Sequence, residues 1–204
     1  MKISISERDK NINIKEFFAE SPMAYRSFWQ DLCRKYPGYV ADFIYQNSEP
    51  PIEFLNEINA EVLEILLISS VTPESFTPAS IAEVEQVTTD NFDIFAKIHD
   101  ATNPEDFLSS ARLAENMDRW RIFMYGNNYV ITSWNETPEV FTLEASDEKA
   151  AACLITAAAR YTFENRDMEF LFYVEHDNLM HLEAARKVGF VVSGKSIAYR
   201  VKCA

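Results

Sequence analysis

Alternating strand and helix patterns of apolar residues run through the second half of the chain. Residues 140–144 and 169–174 are rich in β-branched and aromatic side chains, which is typical of strands. Residues 150–161 between them are rich in alanine, the best helix former. Residues 178–188 predict another helix, which Gly189 ends in the usual position for a glycine after a helix. This stretch is therefore expected to form strand, helix, strand and helix.

The start of the alanine-rich helix carries its own signals. Ser146 is expected to be the N-cap, because a hydroxyl oxygen there accepts from a free backbone N–H. Asp147 and Glu148 follow in the first turn, where the helix dipole favours negative charge. The pattern predicts a well-capped helix at the end of the preceding strand.

The residues before this stretch predict further elements. Residues 81–87 alternate and indicate a strand, and helices are expected over 89–99 and from Asn103-Pro104-Glu105 onward. Strands 121–125 and 129–134 around Gly126-Asn127 predict a hairpin.

The first third of the chain reads differently. Helical spacing is predicted at 21–36 and again at 52–66, with a possible short strand at 2–6. Residues 39–45 suit either a strand or a helix. Residues 69–80 are rich in Ser, Thr and Pro and are the best linker candidate.

The final helix resembles the end of the GNAT superfamily of acyl-CoA-dependent N-acyltransferases. That family follows a strand with Asn, a helix and Lys-x-Gly-Phe, and Asn178, Lys187, Gly189 and Phe190 stand at the same spacing. The predicted element order also matches the family. The resemblance implies an α/β fold of GNAT type, a mixed central sheet flanked by helices, over residues 80–204. Residues 1–75 are then a mainly helical N-terminal region, either an extension or a diverged partial copy of the GNAT fold.

Composition narrows the choice of partners. A net charge of −13 disfavours nucleic acid, which is bound through Lys and Arg on phosphates. Four glycines, none close together, exclude the usual glycine-rich phosphate loops. No apolar run in the sequence reaches membrane-spanning length. The three cysteines and three histidines lack the spacing of metal ligands. We therefore expect a cytoplasmic protein without membrane contact or a bound metal.

The resemblance implies acetyl-CoA as cosubstrate, held by backbone amides at the start of the alanine-rich helix and by the edge of the strand before it. The residues that correspond to this binding site are Leu143, Ala145, Lys149, Ala150, Ala151 and Asn178. Two features depart from the family loop. Ser146 replaces its leading Arg or Gln, and Lys149 replaces its first Gly. Asp147 and Glu148 would also oppose a phosphate.

Acyl transfer to an amine needs a group that takes the amine proton and one that serves the leaving thiolate. The family often uses a Tyr for the thiolate, but Ala185 stands in that position. The candidates that remain for proton transfer are Glu144, Glu175, His176, His181 and Tyr199, and of these Glu144, Glu175 and Tyr199 are the residues expected to be catalytic. Glu144 is expected on the strand face of Val140 and Thr142, and His181 is expected at the surface.

The expected function is transfer of an acetyl group from acetyl-CoA to a small-molecule or peptide amine by direct attack, in a monomer or homodimer. The alternative is a catalytically inactive GNAT-like module that binds a ligand or a protein. An interaction protein that uses the aromatic N-terminal region is a third possibility.

Overall fold

The computed structural model describes residues 1–80, 83–103 and 108–203. Its strands are β1 (Lys2–Ser6), β2 (Asn11–Lys15), β3 (Val40–Gln46), β4 (Glu61–Val71), β5 (Glu85–Gln86), β6 (Trp120–Tyr125), β7 (Asn128–Ser133), β8 (Glu139–Glu144), β9 (Phe170–Glu175) and β10 (Val191–Lys202). Its helices are α1 (Pro22–Lys35), α2 (Ile52–Glu57), α3 (Phe92–Thr102), α4 (Ser110–Glu115), α5 (Glu148–Asn165) and α6 (Leu179–Lys187), with a 3-10 turn at Met117–Arg119.

The chain divides into two compact units. The first contains Met1–Leu67 with the chain from Gly194 onward, and the second contains Ile68–Ser193. The predicted domain boundary at 75–80 stays a prediction, because a compact unit in space is not the same as an independently folding domain.

The first unit corrects the prediction of a mainly helical N-terminal region. It begins with two strands: β1 pairs antiparallel with β2, β2 runs parallel to β3, and β3 pairs antiparallel with β10. β2 is the short alternating run Asn-Ile-Asn-Ile-Lys, and both isoleucines are fully buried. Strand pairing between distant segments decided this region, and no local pattern reports such pairing.

The helix predicted over 52–66 is also wrong beyond its first turns. α2 stops at Glu57, and Asn59 has a φ of 55°, a left-handed conformation that a continuing helix does not contain. Residues from Glu61 onward form β4 instead. The spacing of Ile and Leu there fits both periods over a short window, and the β-branched content favours the strand.

The second unit is a sheet covered on both faces. Its strand order is β9-β8-β7-β6-β5, with β8 parallel to β9 and the other pairs antiparallel. On one face, Phe123, Val130 and Val140 pack against the alanines of α5 and α6. On the other, Ile122 and Ile131 belong to a cluster that includes residues of α3 and α4. Alternate residues of each strand thus face two cores.

Most of the predictions for this unit are confirmed. The hairpin turns at Gly126-Asn127, and α3, α5, β8, β9 and α6 lie where the patterns place them. No strand is predicted where β10 lies, a strand twelve residues long that begins in this unit and continues into the first. The predicted strand at 81–87 is described only from residue 83 and contains β5, and Pro104-Glu105 lies outside the described residues.

Gly189 fixes the end of α6. Its φ is 97°, and a Cβ there would lie inside contact distance of the Ser75 carbonyl oxygen. The amide of Thr77 also donates to the Val188 carbonyl at 3.0 Å. Glycine at this position therefore lets the 75–77 segment close over the helix end.

Candidate functional site

A β-bulge reshapes the middle of β8. Ile131 of β7 pairs with Thr142, whereas its neighbour Thr132 pairs with Val140, so Phe141 is the extra residue. A bulge shifts the side-chain alternation by one residue and bends the strand. Val140 and Leu143 consequently share the core beneath α5.

The bulge corrects the predicted facing of Glu144. Glu144 pairs with Tyr129, and Tyr129 belongs to the core beneath α3. Glu144 thus lies on the face of Thr142, as expected, but opposite to that of Val140. An inserted residue is not visible in a hydrophobic pattern this short.

β8 and β9 part at the bulge. Their shared register contains two pairs, Glu139 with Leu171 and Val140 with Phe172, and beyond these the described residues of β8 and β9 do not pair with each other. The Leu171 amide donates to the Pro138 carbonyl at 3.0 Å just before the first pair. We call the space between the C-terminal ends of these strands, 142–144 and 173–175, the β8–β9 cleft.

A buried hydrogen-bond chain ends on Glu144. Nε2 of His99 lies 2.6 Å from the Leu108 carbonyl oxygen, so Nε2 carries the proton. Nδ1 of His99 then accepts from the Tyr129 hydroxyl at 2.8 Å. His99 and Tyr129 are both fully buried.

Asn103, the C-cap of α3, connects this chain to the cleft. Its Nδ2 donates to the Tyr129 hydroxyl oxygen at 2.8 Å and to Oε1 of Glu144 at 3.2 Å. Every donor in the series has an acceptor, which is the condition for a stable buried polar network. One oxygen of Glu144 is thus held, and no described donor bonds to the other.

The start of α6 lies at the end of β9. Asn178 caps the helix with Oδ1, which accepts from the His181 amide at 3.1 Å, and Nδ2 of Asn178 lies 3.0 Å from Nδ1 of His181. The His181 ring packs near Phe172, with centroids 6.2 Å apart. His181 is half-buried, so it is less exposed than a residue that lies simply on the surface.

Two opposing effects act on the His181 imidazole. Burial lowers its pKa from the ordinary 6.5, and the nearby Glu144 carboxylate partly raises that pKa. Phe172 is the last residue of β9 that pairs with β8, and Glu144 is the last residue of β8. The His181 ring lies near Phe172, and its pKa is affected by the Glu144 carboxylate. His181 therefore lies at the β8–β9 cleft.

The start of α5 differs from its predicted form in its cap. Asp147, not Ser146, is the N-cap, and its Oδ1 accepts from the Ala150 amide at 2.8 Å. The Ser146 amide instead donates to Oδ1 of Asn128 at 2.7 Å, which moves the helix start by one residue. Glu148 forms an ion pair with Lys187 of α6.

These contacts limit what the α5 start can offer an anion. The Ala150 amide is occupied by Asp147, and the Ala151 amide donates to the Asp147 carbonyl at 3.0 Å. The amides of Glu148 and Lys149 have no hydrogen bond to the described residues. The cleft exposes a strand edge, whereas the start of α5 keeps only two amides, those of Glu148 and Lys149, without a described partner.

The remaining predicted residues are spread more widely. Leu143 is buried beneath α5, Ala145 is half-buried after β8, and Glu175 is exposed at the end of β9. Tyr199 belongs to the first unit, where its ring lies 6.4 Å from that of Tyr45. Of the predicted set, Leu143, Glu144 and Glu175 thus lie on the strand ends that border the cleft and Asn178 follows the second of them, whereas Tyr199 lies elsewhere.

Sequence analysis missed three residues of the network: His99, Asn103 and Tyr129. The available signal was a histidine on the apolar face of a predicted helix and a tyrosine in a predicted strand, since buried polar groups need partners. Over the part of the chain that the structure describes, no group of His, Cys, Asp and Glu is arranged to hold a metal, and no helix is long and apolar enough to span a membrane.

Solved structures share this architecture. The GCN5-related N-acetyltransferase from Sphaerobacter thermophilus is similar over 98% of this chain and 76% of its own, with a TM-score of 0.70 at 9% identity. The fold is that of the GNAT acetyltransferases. A tandem GNAT protein from the clavulanic acid biosynthesis pathway matches 99% of this chain and 78% of its own, with a TM-score of 0.65 at 13% identity.

A GNAT-family acetyltransferase from Colwellia psychrerythraea matches 98% of this chain and 80% of its own, with a TM-score of 0.63 at 11% identity. No family model matches the sequence, and no curated protein matches it. Identities this low carry the fold and leave the activity to the site itself.

Proposed function

We propose that this chain transfers an acetyl group from acetyl-CoA to an amine by direct attack of the amine on the thioester. The observation that carries the proposal is the parting of β8 and β9 after Val140 and Phe172. Parted parallel strands expose backbone donors and acceptors, which an extended amide chain such as pantetheine can pair with as an added strand. Leu143 and Ala145 lie along that edge.

Glu144 is the group we assign to the amine. Asn103 holds Oε1, and the second oxygen, to which no described donor bonds, can accept the proton that the attacking nitrogen loses. The net charge of −13 suits a cationic acceptor before it is deprotonated. Glu175 and Tyr199 stay predictions from sequence, as do the amides of Lys149, Ala150 and Ala151 for the pyrophosphate.

Binding and turnover test this proposal separately. Calorimetry with acetyl-CoA and with desulfo-CoA measures whether the cleft takes the nucleotide, and thiol release across a panel of amines measures transfer. Binding with amine-dependent thiol release is the expected result. No heat at millimolar acetyl-CoA would remove the acyltransferase.

A binding module without catalysis is the second candidate. The Asp147 carboxylate on the Ala150 amide favours it, because a negative charge at a helix start opposes a phosphate. Heat on titration with acetyl-CoA, without thiol release for any amine, is the outcome that would select this candidate.

A further inference from the structure

Asn178 uses both ends of its amide on one residue. The backbone N–H of His181 can only donate, so the Asn178 atom 3.1 Å from it is the oxygen. The other atom is therefore the NH₂ group, which donates to Nδ1 of His181 at 3.0 Å. This assignment follows from the hydrogen bonds alone.

The tautomer of His181 follows from the same contact. Nδ1 accepts a hydrogen bond and so has no proton, which places the proton of the neutral ring on Nε2. In a charged imidazolium, Nδ1 of His181 would carry a proton and would face the NH₂ group of Asn178, which is also a donor. The hydrogen bond between these two atoms would then be lost. Asn178 therefore holds His181 as a neutral Nε2–H donor.

We propose that His181, held by Asn178 in this form, donates the hydrogen bond that stabilises the departing sulfur in the β8–β9 cleft. This role rests on the acyl transfer proposed above. The resemblance in sequence places Ala185 at the position of the family's tyrosine, and the methyl group of Ala185 has no donor. His181 lies one turn earlier on the same helix, beside the point where β9 leaves β8.

In this reaction every bond, electron pair and proton is accounted for without a charged histidine. The amine nitrogen forms its bond to the carbonyl carbon while Glu144 takes the amine proton. The carbon–sulfur bond breaks, its electron pair leaves with sulfur, and the thiolate departs hydrogen-bonded to Nε2–H of His181. Glu144 finally returns the proton to solvent.

The Nε2–H tautomer of His181 can be tested in the ligand-free protein. Two-bond ¹H–¹⁵N correlation of the imidazoles, with the His181 signal assigned by its loss in His181→Gln, should show the Nε2–H form at pH 7. Asn178→Asp keeps a good cap but offers Nδ1 an acceptor, so the His181 pKa should rise and the tautomer should change. Asn178→Ser is the matched control, which keeps a cap and provides no partner for Nδ1.

Steady-state kinetics of His181 variants tests whether Nε2–H of His181 donates to the departing sulfur. We expect His181→Leu to lower kcat about 100-fold with KM nearly unchanged, the size of one lost transition-state donor. His181→Gln places an N–H near the position of Nε2 and should retain a rate within about 10-fold of wild type, which a merely structural role would not produce.

The outcomes separate the two proposals. A wild type whose His181 is charged or carries Nδ1–H at pH 7 overturns the inference whatever its activity. Full activity in His181→Leu overturns the role of His181 and leaves acyl transfer standing. A wild type with the Nε2–H form that neither binds acetyl-CoA nor releases thiol overturns the acyl transfer, and the role of His181 falls with it.

Discussion

Two helices begin at the β8–β9 cleft, and they are capped alike in geometry but not in charge. Oδ1 of Asp147 accepts from the third residue of α5 at 2.8 Å, and Oδ1 of Asn178 accepts from the third residue of α6 at 3.1 Å. Asp147 brings a negative charge to its helix start, with Glu148 directly after it. Asn178 brings none.

The two capping side chains differ in which polar groups remain after each has accepted a hydrogen bond from its helix. The Asp147 carboxylate satisfies an amide and the helix dipole together, which stabilises α5 and discourages a phosphate there. The Asn178 amide satisfies its helix through oxygen and keeps an NH₂ group for His181. The neutral cap Asn178 can therefore orient a neighbouring side chain, whereas the anionic cap Asp147 mainly discourages an anion from binding at the start of its helix.

The largest expected effect is at Glu144, which follows the bulge and acts on His181 across the cleft. Glu144→Gln should lower kcat at least about 100-fold, because an amide cannot take the amine proton. Its oxygen can still accept from Asn103, so the fold should be unaffected. Glu164→Gln, at the exposed far end of α5, is the control in the same thiol-release assay. A Glu144→Gln enzyme at wild-type rate would exclude this carboxylate as the base.

The next effect concerns the network that holds Glu144. Tyr129→Phe removes the hydroxyl between His99 and Asn103, and we expect about 1–3 kcal/mol less stability because both lose a buried partner. Urea unfolding measures the loss. Tyr125→Phe is the control, since no described group bonds to the Tyr125 hydroxyl. Equal stability of the two variants would mean that the network contributes nothing to folding.

A smaller effect is expected at the anionic cap itself. Asp147→Asn keeps the cap and removes the charge, so acetyl-CoA should bind about 2–5-fold tighter, the equivalent of about 0.3–1 kcal/mol. Calorimetry makes the comparison, with the exposed Asp167→Asn beyond the end of α5 as control. Unchanged affinity would show that the phosphates do not approach this helix start.

The smallest effect is a pH dependence at the neutral cap. Burial lowers the pKa of His181 below 6.5, so the unfolded chain binds more protons than the folded protein as the pH falls through that value. Wild type should therefore lose more free energy of unfolding between pH 7 and pH 5 than His181→Gln does.

The exposed His176→Gln is the reference for this last comparison. It should follow the wild-type pH profile, because this variant leaves His181 and its contacts unchanged. Parallel profiles for wild type and His181→Gln would contradict a His181 that resists protonation when folded.

Several elements of the second unit can be predicted from residues alone. The alanines of α5, the Gly126-Asn127 turn and the Asn178 to Gly189 spacing each report a local conformation, and the structure confirms the elements they predict. Glu144 is singled out by its place at a strand end and Asn178 by the resemblance to the GNAT superfamily, and the roles of both stay predictions. The helix predicted over 52–66 failed where two periodicities fit the same short window.

The amino-acid sequence by itself determined the order of elements in the second half of the chain, because periodicity, caps and turns act between residues close in sequence. Only the tertiary structure decided the first-unit strands, the bulge at Phe141 and the approach of His99, Tyr129 and Asn103 to Glu144. Those features depend on pairing and packing between residues far apart along the chain, and a local pattern holds no record of its distant partner.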